Sequence, residues 1–307
     1  MTKEVENLSW IAADWGTSHL RLWLMDDQNK VLQHIGSDRG MSTLQSDQYE
    51  ATLLDLIGDA LPAQGTLPVV CCGMAGSRQG WVEAPYTQVP CAPPTIDDAT
   101  QVQTKDQRLN VFILPGIKQL PAADVMRGEE TQIAGFLAGS PDFDGVICLP
   151  GTHCKWVHIS AGEVVSFRTF MTGELFALIC NSSVLRHSVG EDGWDAEAFE
   201  AAVSDAISRP SAVSGNLFSI RAESLLCDLD STAARSRISG LLIGIELAAA
   251  RPYWLGQDVV IVGESGIASA YGSALVQQGA MARNVTAEDM TLKGLSAAYD
   301  KLVEMTP

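Results

Sequence analysis

The sequence predicts an α/β protein built from two related halves. Two segments carry this prediction, WIAADWGTSHLRLWLMDDQNKVLQHI and GVICLPGTHCKWVHISAGEVVSFRTF. Each contains a strand-like run, a Gly-Thr turn, a second run, a polar turn and a third run. The turn at Gly16-Thr17 corresponds to the turn at Gly151-Thr152, and twice their offset nearly fills the 307 residues. Two similar halves explain this repeat better than one large domain.

Helices and further strands follow the three strands of each half. In the first half, a helical stretch near 47–60 precedes the buried strand LPVVCCGM, and the short strand VFILPG comes later. The segment RGEETQIAGFLAG predicts a helix that leads into the second half. There, helical patterns occur at GELFALICNSSVLRH, RISGLLIGIELAAAR, IASAYGSALVQQG and from about 287, with the strand DVVIVG among them. This order indicates a mixed sheet in each half.

The charge balance excludes some classes of partner. There are 37 Asp and Glu against 20 Lys and Arg, which gives a net charge of −17. Such a surface repels nucleic acid and anionic lipid, so we expect no nucleic-acid or membrane partner. The longest apolar run, LLIGIELAAA, contains Glu246 and is too short to span a bilayer. The N-terminal sequence lacks the pattern of a signal peptide.

The seven cysteines predict reduced, buried thiols. Their number is odd, they form no CxxC pair, and most lie among apolar residues, as in VVCCGM. These features are typical of a cytoplasmic protein. The five histidines do not fall into a metal-ligand spacing. A homodimer is expected only from the general prevalence of two-fold oligomers.

The two Gly-Thr turns have the chemistry of a phosphate-binding site. Glycine lets the backbone approach a ligand, and exposed turn amides attract anions, while Thr17 and Ser18 add hydroxyl donors. Asp14 ends the first strand and suits a magnesium ion that bridges phosphate oxygens. Arg21 and Lys155 supply a cation on the strand that leaves each turn. The pair of turns therefore predicts a clamp on a polyphosphate.

These segments resemble the motifs of the sugar-kinase, heat-shock-protein and actin superfamily. DWGTSHLRLW is similar to its first phosphate motif, and LPGTHCKW lies where the second belongs. VVIVGESGIASAYGSAL resembles its adenosine motif, with Gly263 and Gly266 in the turn. Two positions depart from the pattern, because Pro150 replaces the usual Asp and Glu264 replaces a second adjacent Gly. The resemblance implies two ribonuclease H-like domains, the actin-like ATPase fold, with an ATP cleft between them.

Within that superfamily, the sequence resembles the 2-keto-3-deoxygalactonate kinases. The resemblance implies that ATP, with Mg²⁺, phosphorylates the terminal hydroxyl of a six-carbon 2-keto-3-deoxy sugar acid in galactonate degradation. We expect an N-terminal domain with the substrate loop at 1–125, and a connecting helix with the nucleotide-binding domain at 126–307. The similar stretches are GMAGSRQGWVEAPY, DVMRGEETQ, LPGTHCKW, FRTFMTGEL and SGLLIGIE.

Phosphoryl transfer to an alcohol needs a group that accepts the hydroxyl proton. The superfamily places a carboxylate before the second phosphate motif, where this sequence has Asp124, Glu129 and Glu130. The helical pattern favours the glutamates, since Glu130 begins an apolar stripe along the predicted helix. Either glutamate also suits a favourable charge at a helix N-terminus. The resemblance favours a base or substrate role for at least one of the two.

Several other residues are predicted to contact the ligands. Arg78, Arg127 and Arg168 suit the substrate carboxylate, and a surface or ion-pair role is equally open for each. Trp81 and Tyr86, in the loop that follows Ser77, would cover a sugar face or pack in the core. Thr172 and Glu174 open a helix, with Thr172 also a candidate N-cap. The predicted phosphate and ATP contacts are Asp14, Gly16, Thr17, Ser18, Arg21, Gly151, Thr152, His153, Lys155, Gly263 and Gly266.

Other functions remain open at this stage. The protein could be another sugar or sugar-acid kinase, including one for the gluconate epimer, and the loop around Ser77 would discriminate these. A phosphatase-like relative would transfer phosphate to water. A non-catalytic actin-like ATP-binding protein would use the same clamp, although the carboxylates on the connecting helix favour chemistry. As a kinase, the protein is expected to close on its substrate and exclude water.

Overall fold

The computed structural model describes residues 6–305, which divide into two compact units. The first unit contains the chain up to 143, residues 161–165 and the chain from 287, and the second contains 144–160 and 166–286. The elements up to residue 143 are β1 (Trp10–Trp15), β2 (Leu20–Met25), β3 (Val31–Ser37), α1 (Tyr49–Ile57), β4 (Leu67–Gly73), β5 (Thr87–Gln88), β6 (Thr100–Gln101), β7 (Leu109–Ile113), β8 (Ile117–Gln119), β9 (Asp124–Met126) and α2 (Glu129–Gly139).

The second part of the chain repeats this order and adds helices. Its first strands and helices are β10 (Gly145–Leu149), β11 (Cys154–Ser160), β12 (Glu163–Phe170), α3 (Thr172–Ser182), α4 (Ala196–Ser208), α5 (Val213–Leu226) and α6 (Ser231–Ala249). The remaining elements are α7 (Arg251–Trp254), β13 (Val259–Val262), α8 (Ser265–Gln277), β14 (Ala282–Val285) and α9 (Ala287–Met305). The predicted strands and helices are therefore present, with boundaries that differ by a few residues.

The main sheets of the two units share one topology, which confirms the predicted repeat. The first has the order β3-β2-β1-β4-β7-β6 and the second has the order β12-β11-β10-β13-β14. In each, the first strand pairs antiparallel with the second and parallel with the strand that follows the hairpins. The central strands are covered on both faces, which explains why LPVVCCGM and DVVIVG are almost continuously apolar.

Helix α9 packs on the sheet of the first unit. The Tyr299 ring stacks on Trp10 with the ring centroids 4.4 Å apart, and Leu295 lies in the same buried cluster as Val70. The predicted domain boundary between 125 and 126 therefore differs from the structure, because α2 and α9 both belong to the first unit. The pattern of α9 shows an apolar face but not which sheet that face covers. The first and last residues of the predicted domains, 1–5 and 306–307, lie outside the described residues.

Helices α2 and α9 approach so closely that their backbones touch. A side-chain carbon on Gly135 would lie 1.9 Å from the carbonyl oxygen of Met290, and one on Gly294 would lie 2.0 Å from that of Thr131. The amide of Gln132 also donates to the Thr291 hydroxyl at 3.2 Å. The two glycines thus fix where α9 crosses the helix that begins with Glu129.

The second unit builds its core around α4, α6 and α8. Trp156 on β11, Leu247 on α6 and Tyr271 on α8 lie in one buried cluster with Phe199 on α4. All seven cysteines are free and five are buried, as expected for reduced thiols. Within residues 6–305, no helix has the length and apolar character needed to cross a bilayer.

Replacing Gly135 by Ala should destabilise the first unit by about 1–3 kcal/mol, because the new methyl group collides with the backbone of α9. Gly139→Ala is the matched control, since nothing lies within 4 Å of the added carbon at that end of the same helix. Urea unfolding followed by circular dichroism measures both changes. Equal midpoints for the two variants would show that α9 does not pack against α2 as described.

Candidate active site

The first Gly-Thr turn lies between β1 and β2, with Thr17 and Ser18 exposed. Three successive amides donate to the carbonyl oxygens of the turn from behind. They are Gly40 to Ser18 at 3.2 Å, Met41 to Gly16 at 3.0 Å and Ser42 to Thr17 at 2.9 Å. We call residues 40–42 the first backing segment. Because the carbonyl oxygens are occupied on this side, the turn can offer its hydroxyl and N–H groups to a ligand.

The second Gly-Thr turn has a backing segment of its own, residues 172–174. The amide of Glu174 donates to the carbonyl oxygen of Thr152 at 2.9 Å. A side-chain carbon on Gly173 would lie 2.2 Å from the carbonyl oxygen of Gly151, just as one on Gly40 would lie 2.4 Å from that of Thr17. In both units, therefore, the chain after the third strand returns and places a glycine against the turn.

Two predicted residues beside the second turn contact each other. The His153 Nε2 and Glu174 Oε2 atoms are 2.6 Å apart, so Glu174 holds the ring that was predicted to contact phosphate. Lys155 follows on β11, and its buried Nζ donates to the carbonyl oxygen of His153 at 3.3 Å. The hydroxyl of Thr172 donates to the buried carboxylate of Glu246. The second turn is thus held by side chains as well as by the backbone.

Asp14 lies at the end of β1, as predicted, opposite Arg21 on β2. Its Oδ2 is 3.5 Å from the Arg21 Nε, and its Oδ1 is 3.7 Å from the Cys72 Sγ. Burial raises the pKa of Asp14 above its usual value, although the Arg21 charge opposes this shift. The charges of Glu129 and Glu288 raise the pKa further, so Asp14 belongs to an acidic region of the first unit.

Two glycines bring the start of α2 to this region. Gly73 and Gly128 have φ angles of 84° and 106°, which favour glycine. A side-chain carbon on Gly128 would lie 3.5 Å from the Cα of Gly73, and one on Gly73 would lie 3.4 Å from the Asp14 Oδ1. The end of β4 and the beginning of α2 therefore meet next to Asp14. A bulky residue at either position would separate the glutamates of α2 from the end of β1.

The two glutamates at the start of α2 have different surroundings. Glu130 is buried, and both of its carboxylate oxygens lie 2.8 Å from the amide of Gly128. Burial, reinforced by the charge of Glu129, raises the pKa of Glu130 to about 7. Glu129 is partly exposed and accepts the amide of Arg127 at 3.0 Å. Asp124 lies apart from this turn on β9, where its carboxylate accepts the amide of Val125.

Ser77 belongs to the loop that was predicted to hold the substrate, and Arg127, which lies between β9 and α2, contacts that loop. The Arg127 Nη2 donates to the carbonyl oxygen of Ala84 at 2.8 Å, and the guanidinium lies 4.2 Å from the centre of the Tyr86 ring. The Arg127 Nη1 and the Ser77 Oγ are buried, and neither has a hydrogen-bond partner in the described part of the chain. Buried donors without partners are costly, and they suit polar atoms of a ligand.

The other residues predicted to contact the substrate are either exposed or packed against other side chains. Arg78 is 80% exposed and pairs with Glu83 at 3.4 Å, and Arg168 is exposed with its guanidinium 5.3 Å from the Phe170 ring. Trp81 packs against the rings of Tyr49 and Trp15 with centroid distances of 6.0 Å. Core packing, the alternative considered for Trp81, is what the structure shows.

A cavity of about 590 Å³ opens beside the start of α8 in the second unit. Gly266, predicted to contact adenosine, lines it, whereas Gly263 packs against Pro150. No sequence pattern indicated the lining residues that lie on α3, on α6 and in the segment just before α4. These include Phe176, Trp194 and Arg235, with the Arg235 guanidinium 4.8 Å from the Phe176 ring. The aromatic rings and small residues here suit a flat, apolar ligand group.

Asp14 is the predicted metal ligand, and its surroundings fit an indirectly held Mg²⁺. Within residues 6–305, no three His, Cys, Asp or Glu side chains converge to form a metal cage. Magnesium in phosphoryl-transfer sites is commonly held by one or two carboxylates together with substrate phosphates, so a single carboxylate is compatible with such an ion. A nearby cation would also favour the charged form of this partly buried carboxyl group.

Comparison with known proteins identifies the family. The profile of the 2-keto-3-deoxy-galactonokinase family matches residues 14–298. The chain belongs to this family. A Rhizobium meliloti family member, named probable 2-dehydro-3-deoxygalactonokinase, is 41% identical over 94% of this chain and 96% of its own. The Escherichia coli 2-dehydro-3-deoxygalactonokinase is 34% identical over 88% of this chain and 90% of its own.

Solved structures confirm the predicted actin-like ATPase fold. The crystal structure of a Sinorhizobium meliloti protein, described as a putative 2-dehydro-3-deoxygalactonokinase, has a TM-score of 0.88 and 40% identity, and the match covers 95% of this chain and 99% of its own. Component A of the Acidaminococcus fermentans (R)-2-hydroxyglutaryl-CoA dehydratase has a TM-score of 0.53 at 12% identity, covering 95% and 98% of the two chains. The second likeness shows the fold alone, so the family assignment comes from the closer relatives.

Proposed function

We propose that this protein phosphorylates the terminal (6-) hydroxyl of 2-keto-3-deoxygalactonate with ATP. The observation that carries this proposal is the near full-length similarity to two proteins named for that activity. The geometry supports this proposal. In each unit, backbone amides of the backing segment donate to carbonyl oxygens of the Gly-Thr turn, and in the first unit the pKa of the buried Glu130 is raised to about 7. Cytoplasmic galactonate degradation is the proposed setting, in keeping with seven free thiols.

The nucleotide is proposed to bind mainly through the second unit. Its base and ribose would occupy the cavity beside Gly266, where Trp194 and Phe176 offer aromatic faces. The turn at Gly151-Thr152, with Lys155 on the strand that follows it, would hold phosphate oxygens. Thr17 and Ser18 are the proposed phosphate contacts of the first turn. Mg²⁺ would neutralise charge on the phosphates when bound, with Asp14 as its protein ligand.

Glu130 is the proposed acceptor of the substrate hydroxyl proton. A general base is most effective when its pKa lies near the working pH, and the pKa of Glu130 is raised to about 7. Glu129 contributes to this through its charge, and it holds the turn before α2 through the amide of Arg127. The helix start therefore combines one carboxyl group for proton transfer with a second that adjusts its pKa.

Arg127 is the proposed partner of the substrate carboxylate. Its guanidinium is fixed by the Ala84 carbonyl oxygen and the Tyr86 ring, so little side-chain entropy is lost on binding. The buried Nη1 and the neighbouring Ser77 hydroxyl are the donors proposed to meet the sugar acid. Arg78 and Arg168 are the weaker candidates because both are exposed.

A coupled assay of ADP release tests the proposed reaction directly. The wild-type protein with Mg-ATP should turn over 2-keto-3-deoxygalactonate much faster than the gluconate epimer, and it should not use glucose. Faster turnover of the gluconate epimer would assign the enzyme to a different sugar acid. ADP release that needs no sugar acid would instead favour the phosphatase-like function, and nucleotide binding without turnover would favour the non-catalytic one.

Replacing Glu130 by Gln should lower kcat by about 10²–10⁴-fold with little change in the Kd for ATP, because the base is lost while the phosphate turns remain. In the wild type, kcat should fall as the pH drops below about 7, since the ionised carboxylate is the active form. In Glu129→Gln, the fall in kcat should begin at a lower pH than in the wild type, because one charge that raises the pKa of Glu130 is removed. Unchanged turnover in Glu130→Gln would remove the residue from the mechanism.

Replacing Gly40 by Ala should weaken nucleotide binding about tenfold or more. The added carbon would lie 2.3 Å from the carbonyl carbon of Ser18, so the first turn must move. Gly36→Ala on β3 is the control, because nothing lies within 4 Å of its added carbon. Titration calorimetry with Mg-ADP measures both affinities. Equal Kd values for the two variants would show that the first turn does not contribute to nucleotide binding.

A further inference from the structure

Glu246 is a buried carboxylate for which the proposed reaction has no use. It lies on α6 in the apolar stretch SGLLIGIELAAA and is 2% exposed. Its Oε1 accepts the indole N–H of Trp156 at 2.7 Å, and its Oε2 accepts the Tyr271 hydroxyl at 2.7 Å. The Thr172 hydroxyl donates to the same Oε2. One side chain therefore binds three donors from three different elements.

Each donor belongs to an element that carries part of the nucleotide site proposed above. Trp156 follows Lys155 on β11, the strand that leaves the second Gly-Thr turn. Thr172 begins the second backing segment, which contacts that turn through Gly173. Tyr271 lies on α8, whose first turn lines the cavity through Gly266. Glu246 thus connects the phosphate turn with the helix beside the cavity.

The cost of burying this carboxylate argues for a role beyond stability. A buried charge is expensive even when hydrogen-bonded, and apolar residues of similar volume often stabilise such a position equally well or better. An apolar residue would, however, leave the Trp156 N–H without an acceptor, because an indole can only donate. Burial and the nearby Cys154 and Glu246 also raise the pKa of Tyr271, so its hydroxyl remains a donor.

We infer that Glu246 is a positioning residue that sets the spacing between the second phosphate turn and helix α8 for nucleotide binding. This inference rests on the proposed assignment of the second unit to ATP. Its three hydrogen bonds hold Trp156, Thr172 and Tyr271 in one arrangement, which fixes the turn and the cavity relative to each other. A nucleotide that spans both would then bind a site that is already in place, and it would not have to order that site.

The test removes one donor at a time with substitutions that keep the side-chain volume. Thr172→Val should raise the Kd for Mg-ADP about five- to tenfold, and Thr172→Ser should restore it, because serine keeps the hydroxyl. Tyr271→Phe should raise the Kd to a similar extent. The control is Tyr253→Phe on α7, whose hydroxyl contacts only Ser166 at 3.5 Å among the hydrogen bonds of the described chain. The KM for the sugar acid should stay within twofold of wild type in Tyr271→Phe and Tyr253→Phe.

The carboxylate itself is tested by Glu246→Gln and Glu246→Leu. Glutamine can accept the Trp156 N–H and donate to the two hydroxyl groups, which can also accept, so it should bind Mg-ADP nearly as well as wild type. The Glu246→Leu variant should raise the Kd for Mg-ADP more than tenfold. The measurement is made at a temperature where thermal unfolding shows that this variant is fully folded. If the Glu246→Leu variant does not fold, the Thr172 and Tyr271 variants alone decide the result.

The possible outcomes separate this inference from the proposed function. A wild-type protein that binds no adenine nucleotide would overturn the proposed function itself. Normal binding by the wild type with unchanged Kd in Thr172→Val and Tyr271→Phe would overturn only the positioning role. A rise in the KM for the sugar acid in Thr172→Val, without a rise in the nucleotide Kd, would also overturn it and would return Thr172 to the substrate contacts.

Discussion

A turn that binds an anion through its backbone must direct its carbonyl oxygens elsewhere. Both units meet this constraint by returning the chain after the third strand, so that residues 40–42 and 172–174 lie behind the Gly-Thr turns. The approach is so close that only glycine fits at the contact. The duplicated sheets, which share the order of five strands, supply the framework in which the same return occurs twice. The arrangement of the proposed phosphate contacts depends on these two backbone contacts.

The acidic region around Asp14 also depends on a close approach between two backbone segments. Gly73 and Gly128 let the end of β4 and the start of α2 meet beside Asp14, and burial then raises the pKa values of Asp14 and Glu130. Raised pKa values of neighbouring carboxyl groups are typical of functional sites, although they also occur in structural networks. In the second unit a carboxylate is buried differently, since Glu246 is surrounded by hydrogen-bond donors. The two halves thus use similar folds to place acids in different surroundings.

Much of the fold could be predicted from the sequence because the repeat, the strand periodicity and the Gly-Thr turns are local signals. The family motifs also pointed to Asp14, at the end of β1, and to Glu129 and Glu130, at the start of α2. Long-range packing was not predictable in the same way. The pattern did not show that α9 covers the first sheet, that Trp81 packs on Tyr49, or that Thr172 donates to Glu246. Each depends on residues far apart in the chain, for which no spacing rule exists.

The position of α9 has a consequence for how the protein is made. The first unit combines segments that precede and follow the second unit in the chain, with the Trp10 ring stacked on the ring of Tyr299. During synthesis the strands of this unit are made before the second unit, whereas α9, which covers one face of their sheet, is made after it. The second unit lies between them in the chain and can complete its core earlier. Until α9 has been synthesised, the apolar face that carries Trp10 and Val70 lacks the helix that buries it.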